Sequence, residues 1–209
     1  MKQDDATAKR SPSGKAPGVL SAKRTSGGGL GEEEGSSSSR QQSESVRADS
    51  GLAQGPASIE IRHAKPSDYG RVIGRVNVWW GGREMAPMLP KLFFLHFEGT
   101  SFVADDADED LVGFLCGFLS QTSDDEAYIH FVGVTPDKRG EGLGRALYER
   151  FFDEAKAHGR AVVRCVTSPG NEDSVGFHEA LGFEVDRVAK DYDGVGEDRV
   201  LLVKRLESS

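Results

Sequence analysis

The chain has 209 residues, a length that suits one domain of ordinary size with some additional material. Its formal net charge is −8, and the first 56 residues carry eight Lys/Arg against seven Asp/Glu, which leaves −9 on the remainder. So acidic a domain repels nucleic-acid phosphates and anionic membranes, and no apolar run approaches the roughly 20 residues of a spanning helix.

From Met1 to Ala57 the chain is Ser, Gly, Lys and Glu with scattered Ala, and it holds no aromatic residue. It cannot bury enough apolar surface to offset the entropy of ordering. Residues 1–57 are therefore expected to be a disordered Ser/Gly-rich tail, and residues 58–207 the folded domain. The N-terminus lacks the apolar core of a signal peptide, so a soluble, cytoplasmic protein is expected. Cys116 and Cys165 lie within apolar runs rather than at metal-ligand or redox spacing. They read as buried free thiols, and no metal is expected.

Along the domain, residues 58–63 alternate like a short strand. Pro66-Ser67-Asp68 offers a helix start, and residues 69–80 carry apolar side chains at helical spacing until Gly81-Gly82. Residues 88–97 read as a second amphipathic helix. Strands are expected at 101–105, 111–120 and 127–135, the last apolar enough to be central in a sheet. Residues 143–158 form a helix that Gly159 stops, followed by a strand at 161–167. A helix at 172–181 ends at Gly182. Strands at 183–188 and 199–206 flank an acidic turn at 191–198. The order β-α-α-β-β-β-α-β-α-β-β predicts an α/β (α+β) domain.

The segment Val134-Thr135-Pro136-Asp137-Lys138-Arg139-Gly140-Glu141-Gly142-Leu143-Gly144-Arg145 follows the expected central strand and opens a helix. Unpaired N–H groups and the positive end of the helix dipole make such a place suited to a pyrophosphate. Gly140, Gly142 and Gly144 remove Cβ atoms from the approach, and Arg139 and Arg145 add positive charge. The spacing fits neither a P-loop nor a Rossmann fingerprint, because Arg145 stands where the third Rossmann Gly belongs.

The segment resembles the coenzyme A loop of the GCN5-related N-acetyltransferase (GNAT) family, V-x-P-x-x-R-G-x-G-x-G/A. A second stretch, from Asn171 through Ser174, Phe177 and His178 to Gly182-Phe183, is similar to that family's N-x-x-S/A-x-x-F-Y-x-x-x-G-F, with His178 in place of Tyr. The resemblance covers about residues 59–206. It implies a mixed, mostly antiparallel sheet of about seven strands with about four helices, and acetyl-CoA as cosubstrate. It further implies that the central strand splays at a bulge, where Val132, Gly133 and Val134 pair with the pantetheine arm. Backbone N–H groups of Arg139, Gly140, Glu141, Gly142, Leu143, Gly144 and Arg145 would take the pyrophosphate, with Asn171 beside the arm.

Acyl transfer to an amine needs a base. His130, four residues before Val134, stands where several family members carry one; strict alternation puts it on the same face as Val132 and Val134. Asp125 and Glu126 are rivals. His178 is the candidate acid in place of the family's Tyr. In the family the acceptor site lies between the N-terminal helices and the last strand pair, here Trp79, Trp80, Arg83, Glu84, Met85, Met88 and Tyr192. Trp79 and Trp80 cannot both face one side of a helix, and Phe93, Phe94 and Phe97 read as core. The function implied is N-acetylation of a small or mid-sized amine. The alternatives are protein or peptide N-acetylation and a non-catalytic acetyl-CoA-binding regulatory module. Neither nucleic acid nor membrane is an expected partner, and the resemblance admits a homodimer.

Overall fold

The computed structural model describes residues 59–207, so the tail read for residues 1–57 lies outside the described residues. Strands β1 (Glu60–His63), β2 (Ser101–Asp105), β3 (Leu111–Leu119), β4 (Glu126–Val134), β5 (Val162–Thr167), β6 (Glu184–Ala189) and β7 (Arg199–Arg205) form one sheet. Their order is β1-β2-β3-β4-β5-β7-β6. Neighbours are antiparallel except β4 and β5, which are parallel. A parallel pair needs a long crossover, and here that crossover contains α2 (Leu143–Ala157). The other helices are α1 (Asp68–Trp79) and α3 (Glu172–Ala180).

The apolar spacing of each helix decides which face of the sheet it covers. In α2, Leu143, Leu147, Phe151 and Ala155 recur every four residues with Tyr148 and Phe152 alongside, and all are buried. They pack with Ile129, Val163 and Leu202. In α1, Val72, Val76 and Trp79 form the stripe, and it joins a second cluster with Val103, Phe114 and Phe131. Each large side chain so buried contributes about 1.5–3 kcal/mol against the cost of ordering the chain. Both cysteines are free and buried. Burial pushes the Cys116 thiol up to about 12 and raises that of Cys165 as well.

The helix expected at residues 88–97 is not an α-helix. The chain makes short 3₁₀ turns at Ala86–Met88 and Lys91–Phe94, so among the described residues three α-helices flank the sheet rather than four. Proline is the cause. Leu89, which precedes Pro90, sits at φ −116° and ψ 84°, and Pro90 itself is extended at ψ 142°. The apolar pattern is still satisfied, because Leu89, Phe93 and Phe94 are buried and Phe97 is half-buried. Asn77 of α1 secures the segment: its Oδ1 accepts from Met85 N–H at 2.8 Å and Ala86 N–H at 2.9 Å. Among the described residues, no helix is long and apolar enough to cross a membrane.

A charged network joins β1, α1 and β2. Arg62 grips Asp68 with two nitrogens, at 2.8 and 2.9 Å, and reaches Asp105 at 2.9 Å. Arg71 reaches Asp68 at 3.2 Å and Asp105 at 2.8 Å. Burial raises the Asp68 carboxyl pKa, but hydrogen bonds from Arg62, the Lys65 N–H and Arg71 outweigh it and hold the group below its ordinary value. A depressed carboxylate stabilises the fold above its unfolded pKa, and that stability is lost as pH falls. We therefore expect Asp68→Asn to lower stability at pH 7 by about 2–3 kcal/mol in urea denaturation. The same change should flatten the decline of stability below about pH 4.

Candidate active site

The site begins where β4 and β5 separate. They pair at Glu126↔Val162, Ala127↔Val163 and Tyr128↔Arg164, and no further. Beyond that point β5 continues with β7, while β4 continues with β3 through Val132↔Leu115, Gly133↔Phe114 and Val134↔Gly113. The edge of β4 that faces β5 is thus open from Ile129 onward. A bulge accompanies the separation: Gly117 pairs with Ile129 and Cys116 with Phe131, so His130 is the extra residue.

The bulge overturns the strict alternation expected for His130. Val132 and Val134 pack on the α2 side, whereas Phe131 joins the α1 cluster and His130 stacks on Phe93 at 4.7 Å and 8°. His130 therefore faces the α1 side, opposite Val132 and Val134. Its Nε2 lies 2.8 Å from the Met88 carbonyl oxygen. A carbonyl can only accept, so Nε2 carries a hydrogen, and in the neutral ring the lone pair is on Nδ1. The ring is exposed.

From Val134 the chain runs through a 3₁₀ turn at Pro136–Lys138 into α2. Gly140 and Gly142 take φ of 83° and 90°, which residues with a Cβ rarely adopt. Gly144 serves differently: a Cβ there would lie 3.2 Å from the Phe177 ring. Within the described residues, the backbone N–H groups of residues 140–145 make no hydrogen bond, and the first turn of α2 has no acidic side chain. These donors and the helix dipole suit a doubly charged oxyanion ligand.

The two arginines of the loop both donate to backbone carbonyls. Arg139 donates from Nε to the Val134 carbonyl at 3.1 Å and from Nη2 to the Trp79 carbonyl at 2.5 Å, tying loop, β4 and the end of α1 together. Arg145 donates to the Ala180 carbonyl at 2.9 Å, the last residue of α3. Glu141 pairs with Lys138 at 3.5 Å. Asn171 caps α3 beside the end of β5, and its carbonyl accepts from the N–H groups of Ser174 and Val175.

His178 lies inside the core rather than on the wedge. It is buried, with edge-on contacts to Tyr148, Phe177 and Phe183. Its Nδ1 donates to the Ser174 carbonyl at 2.6 Å, and its Nε2 accepts from the Tyr148 hydroxyl at 2.8 Å. Both nitrogens are engaged, so no proton is presented to the wedge. Burial lowers its pKa, and the hydrogen bond to Ser174 offsets only part of that.

On the acceptor side the adjacent tryptophans diverge. Trp79, read as a substrate contact, is 4% exposed and stacks on Phe114 at 5.9 Å, so it belongs to the core. Trp80 is half-buried and lies against Phe131 at 5.1 Å. Arg83 is exposed just after the Gly81-Gly82 turn. Tyr192 is exposed on the β6–β7 turn. That turn's carboxylates are largely committed to its own shape: Asp193 pairs with Arg199 at 2.7 Å, and Asp191 accepts from Gly196 N–H. Sequence reasoning passed over Tyr128, the last β4 residue paired with β5. Burial first, then its neighbours Tyr192, Cys165 and Asp193, push its phenol pKa well up. Its one signal in the sequence was an aromatic two residues before His130.

His178 provides a test of its placement. Below about 6.5, the ordinary histidine value, the unfolded chain takes up a proton that the buried ring resists, so stability falls as pH drops through that value. His178→Phe should cost about 1–3 kcal/mol at pH 7.5 by stranding the Tyr148 hydroxyl, and should flatten stability between pH 7.5 and 5.5. Thermal unfolding at the two pH values reads both effects.

Comparison with known proteins follows the same lines. A model of the acetyltransferase (GNAT) family matches residues 68–183. An L-2,4-diaminobutyric acid acetyltransferase of Nocardia farcinica is 35% identical over 85 residues, 41% of this chain and 44% of that protein. The ribosomal protein bS18 alanine N-acetyltransferase of Escherichia coli is 32% identical over 74 residues, 35% of this chain and 50% of that protein. The chain thus spans no more than half the length of these curated relatives. The crystal structure of Ard1 from Thermoplasma volcanium superposes with TM-score 0.61 at 21% identity, covering 72% of this chain and 99% of that one, a likeness of fold.

Proposed function

This chain belongs to the GNAT acetyltransferase family, and we propose that it transfers an acetyl group from acetyl-CoA to the amine of a small or mid-sized acceptor. One observation carries the reading: a single strand–loop–helix unit joins the open edge of β4 to the uncapped N-terminus of α2. Donors for a pyrophosphate and donors for an extended amide-bearing arm therefore lie in sequence along one path. The N–H groups of residues 140–145 hold the pyrophosphate. The open edge at Val132, Gly133 and Val134 pairs with the arm, and Asn171 borders it from α3.

The cosubstrate supplies an activated acyl carbon, and the chain supplies position and a proton acceptor. The acceptor amine must be neutral to attack. His130, with its lone pair on Nδ1, takes that proton directly or through water. The carbonyl carbon gains the C–N bond, the C–S bond breaks, and the thiolate leaves with the electron pair. His178 serves as a neutral buttress that positions Tyr148 and α3. Trp80, Arg83 and Tyr192 border the acceptor, with Tyr128 added to them.

A second reading, acetylation of a peptide N-terminus, is favoured by one feature. The 3₁₀ segment after α1 leaves Met88, Leu92 and Leu95 exposed, which suits an extended apolar chain. The relatives named above include one of each kind, so the acceptor panel must contain both. A chain that only binds acetyl-CoA would keep full cellular function as His130→Ala.

Acetyl-CoA at about 100 times its dissociation constant should stabilise the protein by about 2.7 kcal/mol in thermal unfolding. No shift at millimolar coenzyme refutes the proposal. A panel of amino acids, polyamines and N-terminal peptides, followed by thiol release, identifies the acceptor class. His130→Gln should keep the coenzyme shift while lowering kcat/KM by about 100-fold or more.

A further inference from the structure

Resting on the reading of acetyl-CoA use at this wedge, we propose that Trp80 sets the length of the acyl chain the enzyme accepts. On the α1 side of β4 the indole fills the space above Gly133. A Cβ at Gly133 would lie 2.8 Å from Trp80 Cη2, 3.0 Å from its Cζ3 and 2.6 Å from Phe114 Cε1. Glycine is therefore the residue that lets the rings close on the strand. Gly133 is also one of the three positions whose open edge borders the arm, so the indole lies against the backbone next to the reacting end.

The ring is not free to move aside. Phe131 touches it at 5.1 Å, and Phe131 in turn stacks on Phe114 at 5.9 Å and 8°. The backbone under the ring is fixed as well: the Trp80 backbone N–H donates to the Val76 carbonyl at 3.2 Å, and those of Gly81 and Gly82 donate to the Val78 and Asn77 carbonyls at 3.0 and 2.8 Å. The preceding carbonyl, that of Trp79, is held by Arg139 from the coenzyme loop. The loop that binds the donor and the residue that walls its acyl end are thus parts of one hydrogen-bonded unit.

An acyl group that passes through the wedge toward the α1 side meets this wall. An acetyl methyl is short enough to stop before the indole, whereas each further methylene must displace a ring held against Phe131 and the Gly133 backbone. A pocket closed by packed rings discriminates by about 10–200-fold per methylene. Trp80 is here a specificity residue that takes no part in the bond changes.

The test measures binding of CoA, acetyl-CoA and butyryl-CoA to the full chain by titration calorimetry, for wild type, Trp80→Ala and Trp80→Leu. Wild type should bind butyryl-CoA at least about tenfold more weakly than acetyl-CoA. Either variant should narrow that ratio about tenfold, with CoA bound by the same variant as the reference for both acyl donors. Equal affinity of wild type for the two acyl donors overturns the proposal. So does an unchanged ratio in a variant that still binds CoA. Trp80→Leu retains an apolar side chain at this half-buried position should Trp80→Ala fail to fold. Failure of wild type to bind any of the three would instead overturn the reading of the wedge as a coenzyme site, and this inference with it.

Discussion

Beyond Tyr128 and Arg164, β4 and β5 share no ladder pairs: an extra residue at His130 interrupts the β3–β4 register where they part, and β5 goes on with β7. Sheet interiors normally leave no such edge, since an unpaired backbone group that is also shielded from water is costly. Here the unpaired edge opens into a wedge, where a ligand with amides of its own can complete the pairing. The same bulge puts His130 and Phe131 on one face and sends Val132 and Val134 to the other. One irregularity thus creates the binding edge and aims the candidate base.

The wedge persists because each flank is packed on its own side. α2 and the end of α3 cover one face through Leu147, Phe151, Tyr148 and Phe183. α1 and the 3₁₀ segment cover the other through Val76, Trp79, Leu89 and Phe93. The Arg62–Asp68–Arg71–Asp105 network fixes α1 to the far edge of the sheet, and Arg139 fixes its near end to the coenzyme loop. The guanidinium of Arg139 donates to the carbonyls of Val134 and Trp79, one at a strand end and one at a helix end.

His178 illustrates the distance between motif and role. In the motif it stands where a hydroxyl is usual, and an imidazole there invites an acid–base reading. In the fold, burial among aromatic rings disfavours its charged form, while a carbonyl on one nitrogen and a phenol on the other satisfy its polar atoms. Its chemistry is that of a satisfied core polar group, which links α2 to α3 at the price of one buried hydrogen-bond pair.

Much of the fold was legible in the residues. Strand and helix positions followed from period-two and period-four apolar patterns, because those patterns are what a sheet face or a helix stripe must present to a core. The glycine-rich loop before α2 was legible from the spacing of Gly140, Gly142 and Gly144, and in the fold Gly140 and Gly142 take the positive φ that glycine meets cheaply. The helix expected at 88–97 rested on apolar spacing alone, and Pro90 within it breaks that helix into short turns. The face that His130 presents, the burial of Trp79 and His178, and the use of Arg139 were decided only in the tertiary structure. A bulge shifts register without a sequence mark, and a side chain's partner depends on which carbonyl or ring the rest of the chain brings to it.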